Sequence, residues 1–419
     1  MSEADWDRLQ YYSKKVKFFE FINEDFPPVH PSTYFRIGQL CSSALFPSLC
    51  RLSYFLGETS IAHIFLHLSP LLGSLELFNI RGFENTIVAP FLAILSSQML
   101  RQVVLRNGEL SAEVLKKSIV NFKQLRTLEL SDAVIMSDFV LLEVLGTLPY
   151  LENLTLVANN PASYPAHAPE NSNSQSGHPR YFEALESLRI TGSFFLIRYL
   201  LGFIDSPCLK SIEIYPVVNQ VRNELEPEDL FTPFMTIVTS KWSETLKNFV
   251  IYSDTHDSSI SDCMILFQDL HNMETFRLDW WLKILEDDVI SLAKSWPKLR
   301  TLNLNQTLVS LSTLGLIAEN CPELRHLHIR LDTSTIPPLD TSNKNLRHNL
   351  ENLVVGRAHP SSMNSISTKT MLERQIKVAR HLNFIFPYLK SIEVQSKDVF
   401  WSGVRDLIRL CQDVELSRR

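Results

Sequence analysis

One short apolar signature recurs along the chain: L-x-x-L-x-L, with Ile, Val, Phe, Met or Tyr standing in for Leu. Its clearest copies are Leu72-Gly-Ser-Leu75-Glu-Leu77, Leu125-Arg-Thr-Leu128-Glu-Leu130, Leu151-Glu-Asn-Leu154-Thr-Leu156, Leu185-Glu-Ser-Leu188-Arg-Ile190, Leu299-Arg-Thr-Leu302-Asn-Leu304 and Leu324-Arg-His-Leu327-His-Ile329. Copies begin at 16, 49, 72, 100, 125, 151, 185, 209, 246, 273, 299, 324, 350 and 389. The alternation at the end of each copy puts two apolar side chains on one face of a short strand and the residue between them on the other. Between copies the pattern shifts to helical spacing, as in Asp287–Lys294 and Leu311–Ala318. Pro70, Pro149, Pro207, Pro297, Pro322 and Pro387 each stand two residues before a repeat Leu, where proline ends a helix and feeds extended chain.

A strand and a return helix repeated every 23 to 39 residues, about 29 on average, fall near the leucine-rich repeat range. The fold class predicted is therefore α/β: a leucine-rich repeat solenoid, a curved horseshoe with a parallel sheet on its concave face and helices on its convex face. It holds about 14 repeats in a single domain over residues 1–419. Residues 1–48 form an N-terminal cap and first repeat. Residues 157–180, rich in Pro, Ser, Asn and Ala, read as a flexible insertion, and 333–348 and 357–370 as similar ones. Residues 395–419 carry an amphipathic capping helix, from Phe400 to Leu410, to cover the last core edge.

Composition narrows the function. Of 419 residues 45% are hydrophobic and 21% charged, as in a globular protein, and the net charge of −6 supplies no field for nucleic acid or an anionic membrane. Neither G-x-G-x-x-G nor G-x-x-x-x-G-K-[ST] occurs, and no G-x-S-x-G marks a nucleophile. Six scattered cysteines without a C-x-x-C pair read as buried thiols of a reducing compartment, cytoplasmic or nuclear. No signal peptide or membrane span is expected, and no enzyme activity, cofactor or metal. His63 and His67 are spaced i, i+4, but Ile64 stands where a zinc protease carries Glu. His326 and His328 share the outward side of a strand and read as exposed polar residues.

The resemblance to known proteins lies in the repeat. Ile317-Ala318-Glu319-Asn320-Cys321-Pro322-Glu323-Leu324-Arg325-His326-Leu327-His328-Ile329 resembles the cysteine-containing leucine-rich repeat of F-box proteins. Trp6-Asp7-Arg8-Leu9-Gln10-Tyr11-Tyr12-Ser13-Lys14-Lys15-Val16 resembles the segment joining F-box to repeats in fungal F-box-like proteins. That resemblance implies a ubiquitin ligase substrate receptor, in which an F-box docks the Skp adaptor and a cullin while the repeats choose the substrate. The chain departs from the family in having no Leu-Pro-x-Glu followed by an Ile-Phe helix before residue 16.

The repeat also assigns the binding face. Between the last two core residues the positions run Glu20, Ser53, Glu76, Val104, Glu129, Thr155, Arg189, Glu213, Val250, Arg277, Asn303, His328, Val354 and Glu393. Two residues further on stand Phe55, Phe78, Arg106, Tyr215, Tyr252, Asp279, Asn305 and Arg330. Tyr215 and Tyr252 fall on consecutive repeats, with Arg277 on the next and Trp280-Trp281 opening its loop. Exposed aromatics beside arginine have the composition of an interface hot spot. The predicted partner-binding residues are Tyr215, Tyr252, Arg277 and one of Trp280 or Trp281, with a competing set at His326, His328 and Arg330. Phe55 and Phe78 offer a second patch. Asn303 is expected to be exposed and to tolerate Asp.

Overall fold

The computed structural model describes residues 3–21, 31–40, 44–56, 61–80, 82, 84–95, 99–108, 112–131, 139–158, 181–217, 227–252, 264–279, 284–338, 348–356, 368–394 and 398–417. The chain falls into two compact units, Met1–Leu209 and Lys210–Arg419. Seven parallel strands build the first: β1 (Phe18–Phe21), β2 (Arg51–Phe55), β3 (Ser74–Phe78), β4 (Gln102–Leu105), β5 (Thr127–Ser131), β6 (Asn153–Val157) and β7 (Ser187–Gly192). Seven more build the second: β8 (Ser211–Pro216), β9 (Asn248–Tyr252), β10 (Thr275–Asp279), β11 (Thr301–Ser310), β12 (His326–Asp332), β13 (Asn352–Val355) and β14 (Ser391–Val394). In both units the spatial order follows the chain. This is the leucine-rich repeat solenoid, and every strand starts two residues after its repeat Leu.

The uniform offset has a backbone cause. In most repeats the carbonyl of the residue after the repeat Leu accepts two N–H groups from the following repeat. The Arg101 carbonyl takes those of Arg126 and Thr127 at 2.8 and 2.9 Å, and the Arg300 carbonyl those of Arg325 and His326 at 2.9 and 3.0 Å. A parallel ladder anchored this way cannot slip by one residue without turning every apolar side chain out of the core. The core lies between the inner face of the strands and the return segments. Leu72, Leu75, Leu77, Leu154, Leu188, Leu302 and Ile329 are buried there, each worth about 1.5–3 kcal/mol relative to exposure. In the second unit the layer is aromatic: Phe276 packs on Phe267 at 5.0 Å and on Trp296 at 4.7 Å between ring centroids.

Return segments are mixed rather than uniformly helical. The expected helices are present as Glu286–Ser295 and Leu311–Asn320, capped at Ser310 by its hydroxyl on the Thr313 N–H. Others are tight 3-10 turns, at Ile61–His67 and Met264–Asp269. The i, i+4 histidine spacing falls on the first of these, whose three residues per turn do not repeat a face every four positions. His67 is buried among Phe19, Phe46 and Tyr54.

Where a return segment ends, a buried side chain donates to a carbonyl of the preceding repeat. Ser206 Oγ reaches Leu185 O (2.7 Å), Trp296 Nε1 reaches Phe267 O (3.2 Å), Cys321 Sγ reaches Ala293 O (3.4 Å) and His348 Nε2 reaches Cys321 O (2.7 Å). Cys321 is thus one of several side chains that add a second donor at this point, since Phe267 O, Ala293 O and Cys321 O already accept the backbone N–H groups of Leu270, Trp296 and Leu324. Burial pushes its thiol up to about 12, so it is inert. Cys208 differs from the expected buried thiol. It is exposed, one residue before its repeat Leu, in the turn position that also exposes Leu71, Met99 and Tyr150.

The final helix, Val399–Ser417, closes the second unit. It buries Phe400, Trp401, Val404 and Ile408, and Gln412 Nε2 donates to Leu389 O at 2.9 Å. At Gly403 an added Cβ would displace the Gln375 amide that donates to the Phe400 carbonyl. Of the expected insertions, residues 159–180, 339–347 and 357–367 lie outside the described residues. Val157 belongs to β6, and Thr368–Ile385 is a helix.

Candidate partner-binding face

Strand register decides which outward side chains can meet. In the second unit Glu213 pairs with Val250, Val250 with Arg277, Arg277 with Asn303, Asn303 with His328, His328 with Val354 and Val354 with Glu393. This is the row read from the sequence. Two residues further along, Tyr252 pairs with Asp279. Outward neighbours on adjacent strands are therefore in reach of one another.

Tyr215 and Tyr252 use that spacing to stack, with ring centroids 4.8 Å apart and planes within 16°. The Arg277 guanidinium lies over the Tyr252 ring, its Cζ 5.5 Å from the centroid. Three consecutive repeats thus build one stack of phenol, phenol and guanidinium, joined by ring stacking and a cation–π contact. Beside Arg277 by register, Val250 is buried although it belongs to the outward row. The structure brings Tyr215, Tyr252 and Arg277 together; Trp280 and Trp281 lie outside the described residues.

Asp279 stands two residues from Arg277 on the same face, yet its carboxylate is held by Asn303. Asn303 Nδ2 donates to both carboxylate oxygens, at 3.2 and 3.3 Å. Asn303 is only 5% exposed, so the expected exposed, substitution-tolerant position is instead a buried brace. No sequence signal marks that, because burial here comes from neighbouring side chains and not from the alternation of β11 itself.

The competing set divides in two. His328 belongs to the same cluster: burial holds its imidazole below the usual range, Arg277 adds to that, and Asp279 and Glu393 oppose it. Arg330 is placed by Gly356, where a Cβ would stand 2.8 Å from the arginine Cγ and 3.0 Å from the Asn305 carbonyl oxygen. His326 sits apart, at the start of β12, where its Nδ1 meets Asn352 Nδ2 at 2.8 Å. Among the described residues no group of three or more His, Cys, Asp or Glu is arranged to hold a metal ion, and no helix is long and apolar enough to cross a membrane.

The first unit builds its outward face differently. Glu76 and Glu129, both in the outward row, are spoken for: Arg51 reaches Glu76 at 2.7 Å and Arg106 reaches Glu129 at 2.6 Å. Arg106 also lies 5.4 Å from the Phe78 ring centroid. Its bond to Glu129 holds its pKa above the ordinary value.

No protein-family model and no curated protein matches the chain. Among solved structures it is similar to an internalin from Listeria monocytogenes, at 14% identity over 89% of this chain and 92% of that one, with a TM-score of 0.44. It is also similar to a protein from Bacteroides fragilis, at 12% identity over 76% of this chain and 74% of that one, with a TM-score of 0.35. The fold assignment rests on the chain's own strand register and repeat spacing.

Proposed function

We propose that the chain is a non-catalytic protein-interaction module whose partner seats on the outward face of the second unit, anchored by Tyr215, Tyr252 and Arg277. The observation that carries this reading is the stack these three residues form. Aromatic rings and a guanidinium held rigidly on a sheet lose little conformational entropy when a partner covers them, which is what interface anchors require. Truncating Tyr252 or Arg277 to Ala is expected to weaken a partner by about 1–3 kcal/mol while circular dichroism shows the fold retained. Loss of Arg277 should also flatten the salt dependence of association. If both variants bind like the parent while His326 or Arg330 variants fail, the anchor lies nearer the C-terminus.

The finer reading is a substrate receptor related to F-box proteins of cullin-RING ubiquitin ligases. Its support is the likeness of residues 317–329 and 6–16 to that family. The test is affinity purification with mass spectrometry, comparing this chain with a form carrying any upstream exon. Recovery of the Skp adaptor and a cullin with the longer form supports the ligase role; their absence from both leaves a free-standing repeat scaffold or regulator.

A further inference from the structure

Arginines borne by the strand region of this protein usually find a carboxylate on an adjacent repeat. Arg51 pairs with Glu76, Arg106 with Glu129, Arg126 with Glu152, Arg300 with Glu323 and Arg325 with Glu351, at distances from 2.6 to 3.2 Å. Arg277 has an acidic residue two positions along its own strand, Asp279, and does not pair with it. The Asn303 amide occupies that carboxylate instead. Among the described residues, no carboxylate lies within 4.0 Å of the Arg277 guanidinium, which rests on Tyr252 alone. A planar fork of N–H donors is thus fixed in orientation by an aromatic ring with its hydrogen-bonding capacity unspent.

We propose that Arg277 receives a carboxylate from the partner, so that the occupant of this face is an acidic peptide segment whose Asp or Glu side chain closes the pair that the fold leaves open. This rests on the reading of the Tyr215–Tyr252–Arg277 stack as a partner anchor and specifies its chemistry. A monoanionic carboxylate fits better than a phosphoryl group. One guanidinium matches a carboxylate fork to fork, whereas a dianion would also face Asp279 and Glu393 without a second cation committed to it. Charge pairing on a stacked guanidinium also favours Arg over Lys at this position, since an ammonium cannot make the bidentate contact.

The geometry carries a secondary signature at His328. The charged groups around its imidazole are Arg277 and Asp279 on β10 and Glu393 on β14, with Asn303 and Val354 beside it by register. Neutralising Arg277 with a partner carboxylate removes a cation that opposes protonation of His328. The bound complex therefore holds a proton more readily than the free protein, and binding should tighten as pH falls through the depressed range of His328, below the ordinary histidine value.

The test uses the full chain and two capped decapeptides, one alternating Glu with Ser and the other carrying Gln in place of each Glu, followed by calorimetry and by NMR of the Arg277 Nε–H and His328 ring signals. The Glu peptide is expected to bind saturably and to shift both signals, and the Gln peptide to bind at least about tenfold more weakly. Arg277→Gln should cost the Glu peptide about tenfold, Arg277→Lys should restore only part of it, and Arg106→Gln should change nothing. Failure of the Glu peptide to bind, or binding that ignores Arg277→Gln, overturns the proposal. If both peptides bind alike and both depend on Tyr252, the partner face stands and the acidic occupant falls. If a recovered partner is indifferent to Tyr252→Ala and Arg277→Ala as well, the face itself is misassigned.

Discussion

Arg106 in the first unit and Arg277 in the second make the same contact, a guanidinium over an aromatic ring of the preceding strand, at 5.4 and 5.5 Å. What surrounds them differs. Arg106 is closed by Glu129 at 2.6 Å, and its pair is complete within the fold. Arg277 has its neighbouring carboxylate taken by an amide and stays open. An exposed ion pair of the Arg106 kind contributes little to stability, about 0–1 kcal/mol, and presents a neutral surface. An open guanidinium on a stacked pair of tyrosines presents a charge with a direction. Two faces built from one repeat thus differ in how their arginine is met, one closed by a carboxylate and the other left open by an amide.

The largest effect tests the framework on which both faces depend. Leu302 and Asn303 are adjacent on β11, with Leu302 facing the core at 3% exposure. Leu302→Asp should destabilise the second unit by about 4 kcal/mol or more in a urea titration, because a carboxylate would enter the apolar layer without a partner. A near-normal midpoint would mean that the two faces of β11 are interchanged.

Asn303→Asp sharpens the comparison by converting the open site toward the closed kind. The substitution removes the Nδ2 donor from Asp279 and sets a new carboxylate at the register partner of Arg277. Stability should fall by about 1–2 kcal/mol, and affinity for an acidic peptide should fall because Arg277 now has an internal partner. Unchanged stability with unchanged binding would show that Asn303 is not the brace.

Acidification gives a smaller effect that also separates the regions. His348 and His381, buried in the second unit, are held below the usual histidine range by burial, and His328 likewise. The unfolded chain takes up protons near pH 6.5 where the folded unit resists them, so stability present at pH 7 is lost as pH falls through that value and below. The carboxylates lowered by partners, Glu274 and Glu351 among them, are affected only below about 4.5. Hydrogen exchange at pH 7 and pH 5.5 should therefore show second-unit segments loosening; loosening confined to the first unit would contradict the assignment.

Much of this was legible in the sequence for a physical reason. A parallel stack with a bifurcated backbone anchor has one register, so the repeat leucines place all fourteen described strands and every outward row. Tyr215, Tyr252 and Arg277 could be grouped because equal repeat positions become spatial neighbours. Pairing could not be read that way. Whether an arginine is closed or open depends on side-chain direction, and Asp279 turns to Asn303 rather than Arg277 without any trace in spacing. The burial of Asn303 escaped for the same reason. The exposure of Cys208 follows from its place one residue before a repeat Leu, a turn position that the apolar pattern does not describe.

The most direct measurement is a parallel binding titration of the parent, Arg106→Ala and Arg277→Ala against one partner or the Glu decapeptide, with folding checked for each. Arg106→Ala is expected to bind like the parent while Arg277→Ala loses about 1–3 kcal/mol of affinity. Equal losses in the two variants, or a loss confined to Arg106→Ala, would contradict it.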